Sequence, residues 1–318
     1  MNNVPLFFEP IFKERIWGGN KLCTNFNYNI PSEKTGEAWV ISAHPSGSSK
    51  VKNGILKGQT LAEIWEQHGE LFNKHHDHDE EFPLLVKVLD ANDDLSVQVH
   101  PDDLYAKNKE NQPFGKTECW YVLSAEEDAE IIYGHHAKTK DELKEKIASA
   151  EWNALLRSVR VKAGDFIYVP SGTIHAIGKG IVILEIQQSS DITYRLYDYD
   201  RLDEDGLARE LHLESAIEVI NVPHKLIAYE QEEIKHSGFT SKLLVKEEYF
   251  TVLLWSIDGS VKKELNADFL QVSVISGEGE IIIGDDKYPI LMGDHFILPF
   301  PVKAYELKGT AKLIVSHT

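Results

Sequence analysis

Gly164-Asp-Phe-Ile-Tyr-Val-Pro170-Ser-Gly-Thr-Ile-His175 is the stretch that decides how the chain is read. A Gly-Asp turn opens it, Phe166 to Val169 form a β run, and Pro170 ends that run before a second, glycine-containing turn. The second turn delivers His175. A similar string recurs as Gly293-Asp-His-Phe-Ile-Leu-Pro299, and upstream of the two lie Glu130-Ile-Ile-Tyr-Gly134 and Glu280-Ile-Ile-Ile-Gly284. The common order implies two β modules of one design. The interval from Gly134 to Gly164 is much longer than that from Gly284 to Gly293, so the first module carries an insertion, which coincides with a helical pattern over 139–156.

Outward from this frame, short β runs closed by Gly, Pro or Asp turns dominate, at 84–89, 95–99, 119–123, 131–133, 166–169 and 181–186. Helical signals are fewer. Thr60-Leu-Ala-Glu63 and Thr139-Lys-Asp-Glu142 read as capping boxes, and Pro101 suits the first turn of a short helix through Ala106. A mainly β fold of sandwich or barrel type is expected. One module spans 1–230 with the helical insertions, a second spans 231–318, and they join in the charged, poorly patterned stretch between His224 and Ser241.

The 318 residues carry a formal net charge of -18, which repels nucleic acid and anionic membranes. A small anionic substrate remains compatible where a few cations converge. The chain has two cysteines, Cys23 and Cys119, a usage that suits a reducing compartment. Pro5, Glu9 and Pro10 interrupt the apolar patch at Phe7 and Phe8, so no signal-peptide core forms, and no apolar run approaches a membrane span. The expected location is the cytoplasm.

As a strand, Leu95 to His100 sends Leu95, Val97 and Val99 to one face and Ser96, Gln98 and His100 to the other. Lys116 and Glu118 project together in the same way, with Cys119 turned into the packing. Two imidazoles, a carboxylate and an amide oxygen make a mixed donor set that suits zinc and is acceptable to manganese or iron, with a position open for water or substrate. Arg195 shares a strand face with Thr193 and Tyr197 and is suited to phosphate or oxyanion charge. Lys116 is either a second cation of the site or a surface ion-pair partner. Trp17 and Trp39 are core aromatics or cavity walls. His75-His-Asp-His-Asp-Glu80 and His135-His136 look like metal motifs, but their polar surroundings read as solvated loop.

Gly164 to His175 matches the second cupin motif, and Gln98-Val-His100 resembles its first-motif His-x-His with Gln in the first place. The chain departs from the common cupin pattern in two places. Glu118 lies well downstream of His100, where the usual glutamate follows closely, and Lys179 stands where Asn often closes the second motif. These departures point to one branch. The chain resembles the type I mannose-6-phosphate isomerases in their short bacterial form, through Arg15-Ile-Trp-Gly-Gly19, Gly36-Glu-Ala-Trp39, Ala43-His-Pro-Ser46, Lys87-Val-Leu and Ser96-Val-Gln-Val-His-Pro101. The likeness continues through Gly115-Lys-Thr-Glu118, Pro170-Ser-Gly-Thr-Ile-His175 and Ser190-Asp-Ile-Thr-Tyr-Arg-Leu-Tyr-Asp198.

That resemblance implies two jelly-roll modules, one zinc ion at Gln98, His100, Glu118 and His175, and an essential arginine at Arg195. It also implies interconversion of mannose 6-phosphate and fructose 6-phosphate through an enediol. This chemistry needs an electrophile for the oxygens and an acid/base group for the proton moved between C1 and C2. No residue is assignable as that base from the sequence. Long family members carry an additional helical domain, for which this chain is too short. A cupin oxygenase would present a face much like His100, Glu118 and His175, and a sugar-binding cupin would keep the barrel alone. Retention of all four ligands together with Arg195 argues against the latter.

Aligning Gly164 with Gly293 and Pro170 with Pro299 sets Ala304 opposite His175, with Lys303 beside it. Only Gln271-Val-Ser-Val274 stands where a Gln-x-His pair would be needed. The second module is therefore expected to keep the β framework without a metal. Elemental analysis after extensive dialysis should find one metal equivalent per chain, and two tightly held equivalents would contradict the alignment.

Overall fold

The computed structural model describes residues 3–74, 80–202, 206–227 and 232–318. Residues 75–79 of the His-rich motif lie outside the described residues, as does the expected division at 230/231. The fold is mainly β and of cupin type.

Two antiparallel sheets build the first sandwich. One runs in the order Phe166–Val169, Glu118–Ala125, Ile181–Gln188, Leu84–Ala91, Thr35–Ile41, Ile11–Gly19. The other runs Tyr194–Tyr197, Val97–Val99, His175–Ile177, Glu130–His135, Leu156–Arg160. Strand period two decides what each face does. Ile181 and Ile183 join Leu89, Trp120 and Val122 against Ile131 and Ile177 of the facing sheet, closing an inner core. Val182, Leu184 and Ile186 turn outward with Cys119 into a larger cluster that contains Leu6, Phe8, Phe250, Phe269, Ile297 and Ile314. The outer face of the five-stranded sheet is covered by Leu143, Ile147 and Leu155 of the inserted helices Lys140–Ala148 and Trp152–Leu155, with Ala216 of Leu213–Val219. The insertion thus serves as a lid on an otherwise solvent-facing apolar sheet.

The third sheet has nine strands and its own core around Phe239, Trp255, Phe296 and Leu313. Its order places Leu6–Glu9 beside His295–Pro299, with Leu6 opposite Ile297 and Phe7 opposite Phe296. An N-terminal strand therefore completes the C-terminal sheet. The sequence repeat is also a geometric one. Gly164 and Gly293 both adopt φ +92°, a conformation that favours glycine. Gly164 N donates to Val122 O at 2.8 Å and Gly293 N to Val274 O at 3.0 Å, while Thr173 N and Val302 N close the same turn onto Pro170 O and Pro299 O. His175 and Ala304 each open the following strand.

Several local expectations change. The strand at Gln98 begins only at Val97, so Leu95 packs in the inner core while Val97 and Val99 face the helices. Asp102 caps the next helix, accepting from Tyr105 N, so Pro101 lies before the cap and not in the first turn, and the chain winds on as a π-turn over Ala106–Glu110. Thr60 and Glu63 form the reciprocal box, but Glu142 accepts from Lys138 N, leaving Thr139 a one-way cap. His135 is buried rather than solvated, with Nε2 donating to Asn221 O at 3.0 Å. Cys23 and Cys119 are both free thiols.

A buried histidine links the modules. His295 is buried with Nδ1 2.8 Å from Ser273 Oγ and Nε2 2.7 Å from Tyr28 OH. Burial, aided by the Lys52 charge, pushes its pKa down to about 3. Below the unfolded value of about 6.5, the unfolded chain takes up a proton that the folded one refuses. This contribution to stability is therefore complete above pH 6.5 and is lost as pH falls toward 3. Urea unfolding of His295→Gln against the wild type should show the difference shifting by about 2 kcal/mol against the wild type between pH 7 and pH 5.

Candidate metal centre and substrate cavity

The inner face of the six-stranded sheet changes character along its length. Ile181 and Ile183 give way to Glu185 and Gln187, Leu89 to Lys87, and Trp120 to Glu118, so apolar packing ends where a buried polar floor begins. Neighbouring strands of the other sheet set three further side chains in line, because Gln98 pairs with His175 on one side and with Arg195 on the other. His100 follows at the strand end, its carbonyl held by Gly172 N at 2.8 Å. The glycine turn thus fixes both histidines at once.

His100, Glu118 and His175 present ligand atoms within 4.8 Å of one another, all buried. Glu118 Oε1 lies 3.4 Å from His175 Nε2, and Oε2 lies 3.5 Å from His100 Nε2. The tautomers follow from the outer contacts. His100 Nδ1 donates to Ile192 O at 2.7 Å and His175 Nδ1 to Thr173 O at 2.9 Å, since a carbonyl can only accept. Both Nε2 atoms are left with lone pairs toward the cluster. Burial holds both imidazoles below their usual pKa. At His100 the charges of Lys116 and His175 add to this, and at His175 burial outweighs Glu118. Burial works to raise the Glu118 carboxyl, but Lys116 and His175 outweigh it and hold it below the usual carboxylate range.

Lys116 is buried beneath the cluster. Its Nζ is 3.1 Å from Glu118 Oε2 and 3.2 Å from His100 Nε2, and Glu118 and Glu185 keep it protonated against the opposing effect of burial. The residues fit a divalent metal ion. Two neutral imidazoles and an ionised carboxylate converge in a buried space, and Glu118 Oε2, ion-paired to Lys116, has no well-formed hydrogen bond. Gln98 adjoins them, its amide 3.3 Å from His175 Nε2.

The cluster opens into a cavity of about 480 Å³. Trp17 and Trp39 are both walls, and Thr193 and Arg195 line it, but Tyr197 does not: a bulge between Arg195 and Tyr197 turns the latter away. Arg195 donates to Ser96 Oγ at 3.2 Å and to Glu210 O at 2.7 Å, and pairs with no carboxylate among the described residues. Lys87 and Glu37, which stand within the quoted stretches without a role, also line the cavity, as does Glu185, which belongs to none of them. Lys87 Nζ meets Glu185 Oε2 at 3.3 Å, and Glu37 accepts from Trp39 Nε1 at 2.6 Å and Arg15 Nε at 2.7 Å. Their signal was present in the sequence as single charges at inward-facing positions of otherwise apolar strands. Burial and the Glu118 charge raise the Glu185 pKa, so its proton is held more tightly than an ordinary carboxyl's.

Comparison with known proteins shows the family. The phosphomannose isomerase type I catalytic domain matches residues 6–122, and the mannose-6-phosphate isomerase cupin domain matches 240–318. The mannose-6-phosphate isomerase ManA of Bacillus subtilis is 53% identical over 100% of both chains. This chain belongs to the type I phosphomannose isomerase family. A second relative, the mannose-6-phosphate isomerase of Streptococcus mutans, is 52% identical over 99% of this chain and 98% of its own. The crystal structure of the mannose 6-phosphate isomerase from Bacillus subtilis superposes with a TM-score of 0.96 at 50% identity, covering 99% of each chain. The apo form of the Salmonella typhimurium enzyme shares the fold at a TM-score of 0.78 and 16% identity, over 100% of each chain. The chain is thus an enzyme of this isomerase family. The catalytic-domain match includes Gln98, His100, Lys116 and Glu118 and stops before His175 and Arg195.

His175→Ala removes an imidazole from a cluster that adds little to the apolar cores. The variant should remain folded by circular dichroism while metal affinity, measured by chelator competition, falls more than ~100-fold. Full metal occupancy in this variant would remove His175 from the ligand set.

Proposed function

We propose that the protein interconverts mannose 6-phosphate and fructose 6-phosphate, with one zinc ion held by Gln98, His100, Glu118 and His175. The observation that carries this reading is a buried mixed N/O donor cluster opening onto a cavity that also contains an arginine with no carboxylate partner among the described residues. The Bacillus and Streptococcus relatives are named as mannose-6-phosphate isomerases, which agrees with the first of these substrates. Two imidazoles, a carboxylate and an amide oxygen are donors that zinc accepts while leaving room for substrate. Bound there, the ion would supply electrophilic stabilisation for the substrate's C1 and C2 oxygens.

The chain's own groups account for the rest. Isomerisation passes a proton between C1 and C2 through an enediol, and Glu185 is the group we assign to that transfer. It lines the cavity, its pKa is raised, and Lys87 stands beside it to stabilise the carboxylate when the proton leaves. Lys116 supplies a fixed positive charge next to Glu118. Arg195, anchored by Ser96 and the Glu210 carbonyl, offers its remaining donors to phosphate or to developing oxyanion charge. Trp17 and Trp39 exclude water from the wall. Residues 1–230 carry this chemistry, and 231–318 act as a packing partner. With one exposed and one buried free thiol, the enzyme suits the cytoplasm.

Arg195→Ala tests the division of labour. It should retain its metal by elemental analysis yet lose about 10²–10³-fold in turnover with mannose 6-phosphate, the usual cost of removing a preorganised charge donor. Near-normal turnover would reduce Arg195 to a structural residue.

A further inference from the structure

A second cavity, of about 410 Å³, shares no lining residue with the first. It lies by the inserted helices, where Trp152, Tyr197 and Tyr199 pack against the outer cluster of the five-stranded sheet. Its size falls within the range of small-molecule sites, about 300–1,000 Å³. None of its lining residues is charged, in a chain whose net charge is -18. Arg201, whose guanidinium lies over the Tyr199 ring at 5.2 Å, is already committed to Asp198.

The aromatic wall is continuous. Trp152 and Tyr197 stack with centroids 4.8 Å apart and planes 17° apart, and Tyr199 leans on Tyr197 at 4.9 Å. Among the described residues, the Trp152 indole N–H, the Tyr197 and Tyr199 hydroxyls, and the side chains of Asn153 and Ser158 make no hydrogen bonds within the protein. The backbone is unusual at the same place. Ala150 and Tyr199, both lining residues, hold left-handed φ of 54° and 57°, conformations that L side chains rarely adopt and that concentrate at binding sites. The bulge after Arg195 is what directs Tyr197 here rather than into the metal cavity.

Flat aromatic surface, several free hydrogen-bonding edges and the absence of charge select a ligand that is itself uncharged, hydroxyl-rich and apolar on one face. We propose that this groove binds a neutral sugar, a hexopyranose or short saccharide without phosphate. The axial C–H groups of the sugar lie on the aromatic wall, where the negative ring face meets their partial positive charge, and Asn153 and Ser158 meet its hydroxyls. The site does not depend on the isomerase reading, since it shares no residue with that cavity.

Methyl α-D-mannopyranoside and methyl β-D-glucopyranoside are suitable probes, because a methyl glycoside cannot open and is no isomerase substrate. Saturation-transfer NMR and titration calorimetry on the full chain should show saturable binding of at least one of them, at about 1 mM or tighter. Trp152→Ala should weaken it at least tenfold, and so should the exposed pair Asn153→Ala with Ser158→Ala, which leaves the core untouched should the tryptophan variant not fold. Arg195→Ala should leave binding unchanged. Absence of saturable binding with both glycosides, or unchanged affinity in the Asn153/Ser158 variant, would overturn the proposal. Loss of binding in Arg195→Ala would also overturn it by placing the sugar in the metal cavity.

Discussion

A single ionised carboxylate, buried at the end of a strand, sets the terms for the centre of this molecule. Glu118 has almost no contact with solvent, and a charge in that position is tolerated only where opposite charge and hydrogen bonds surround it. Lys116 below, Trp120 Nε1 at 3.0 Å and two imidazoles on the facing sheet provide that surround. Each must itself be positioned, and the means are ordinary backbone devices: a strand pairing that sets Gln98 beside His175, and a glycine turn bonded to the His100 carbonyl. The metal-ready state of the histidines is thus a by-product of how the loops close, since Ile192 and Thr173 carbonyls choose the tautomer.

The sheet that carries Glu118 serves two purposes on one face. Apolar side chains at one end hold the sandwich closed, and charged ones at the other form the floor of the cavity. Its opposite face is mainly apolar and rests on the C-terminal sheet. Rigidity at the polar end therefore comes from behind, where a second module repeats the turn geometry of the first with Ala304 in the place of His175. The two copies diverged by what was added as well as what was lost. Inserted helices cap the first module's outer sheet, and the Leu6–Glu9 strand extends the second.

Much of this was legible in the residues. Period-two reading gave the direction of Gln98, His100, Glu118 and Cys119, and the repeated glycine turns have the same φ because both copies need the same left-handed residue. What failed did so for identifiable reasons. Alternation holds only while a strand continues, so Leu95 before the strand and Tyr197 after the bulge went to faces that counting could not foresee. Lys116 could be read either as a site cation or as a surface ion-pair partner, because sequence spacing carries no information on depth. Glu185 belongs to no motif, Lys87 and Glu37 stand inside matched stretches that give them no role, and the convergence of all three depends on three strands being adjacent in space. The crossing of Leu6–Glu9 into the far sheet had no local signature, since an edge pairing between distant segments leaves no trace in either segment alone.

That crossing has a bearing on how the chain reaches its native state. Leu6–Glu9 pairs with His295–Pro299, and Phe8 shares a cluster with Ile297 and Ile314, so two segments near opposite ends of the sequence must meet. Contacts this distant bear the greatest loop-closure cost and favour slow, late assembly. Until the C-terminal strands are present, the N-terminal strand has no edge to join on that side and its phenylalanines stay uncovered, a condition that invites aggregation or chaperone capture during synthesis. The chain is therefore stitched together by segments far apart in its sequence, and the sheet that carries Glu118 shares its apolar cluster with the C-terminal strands.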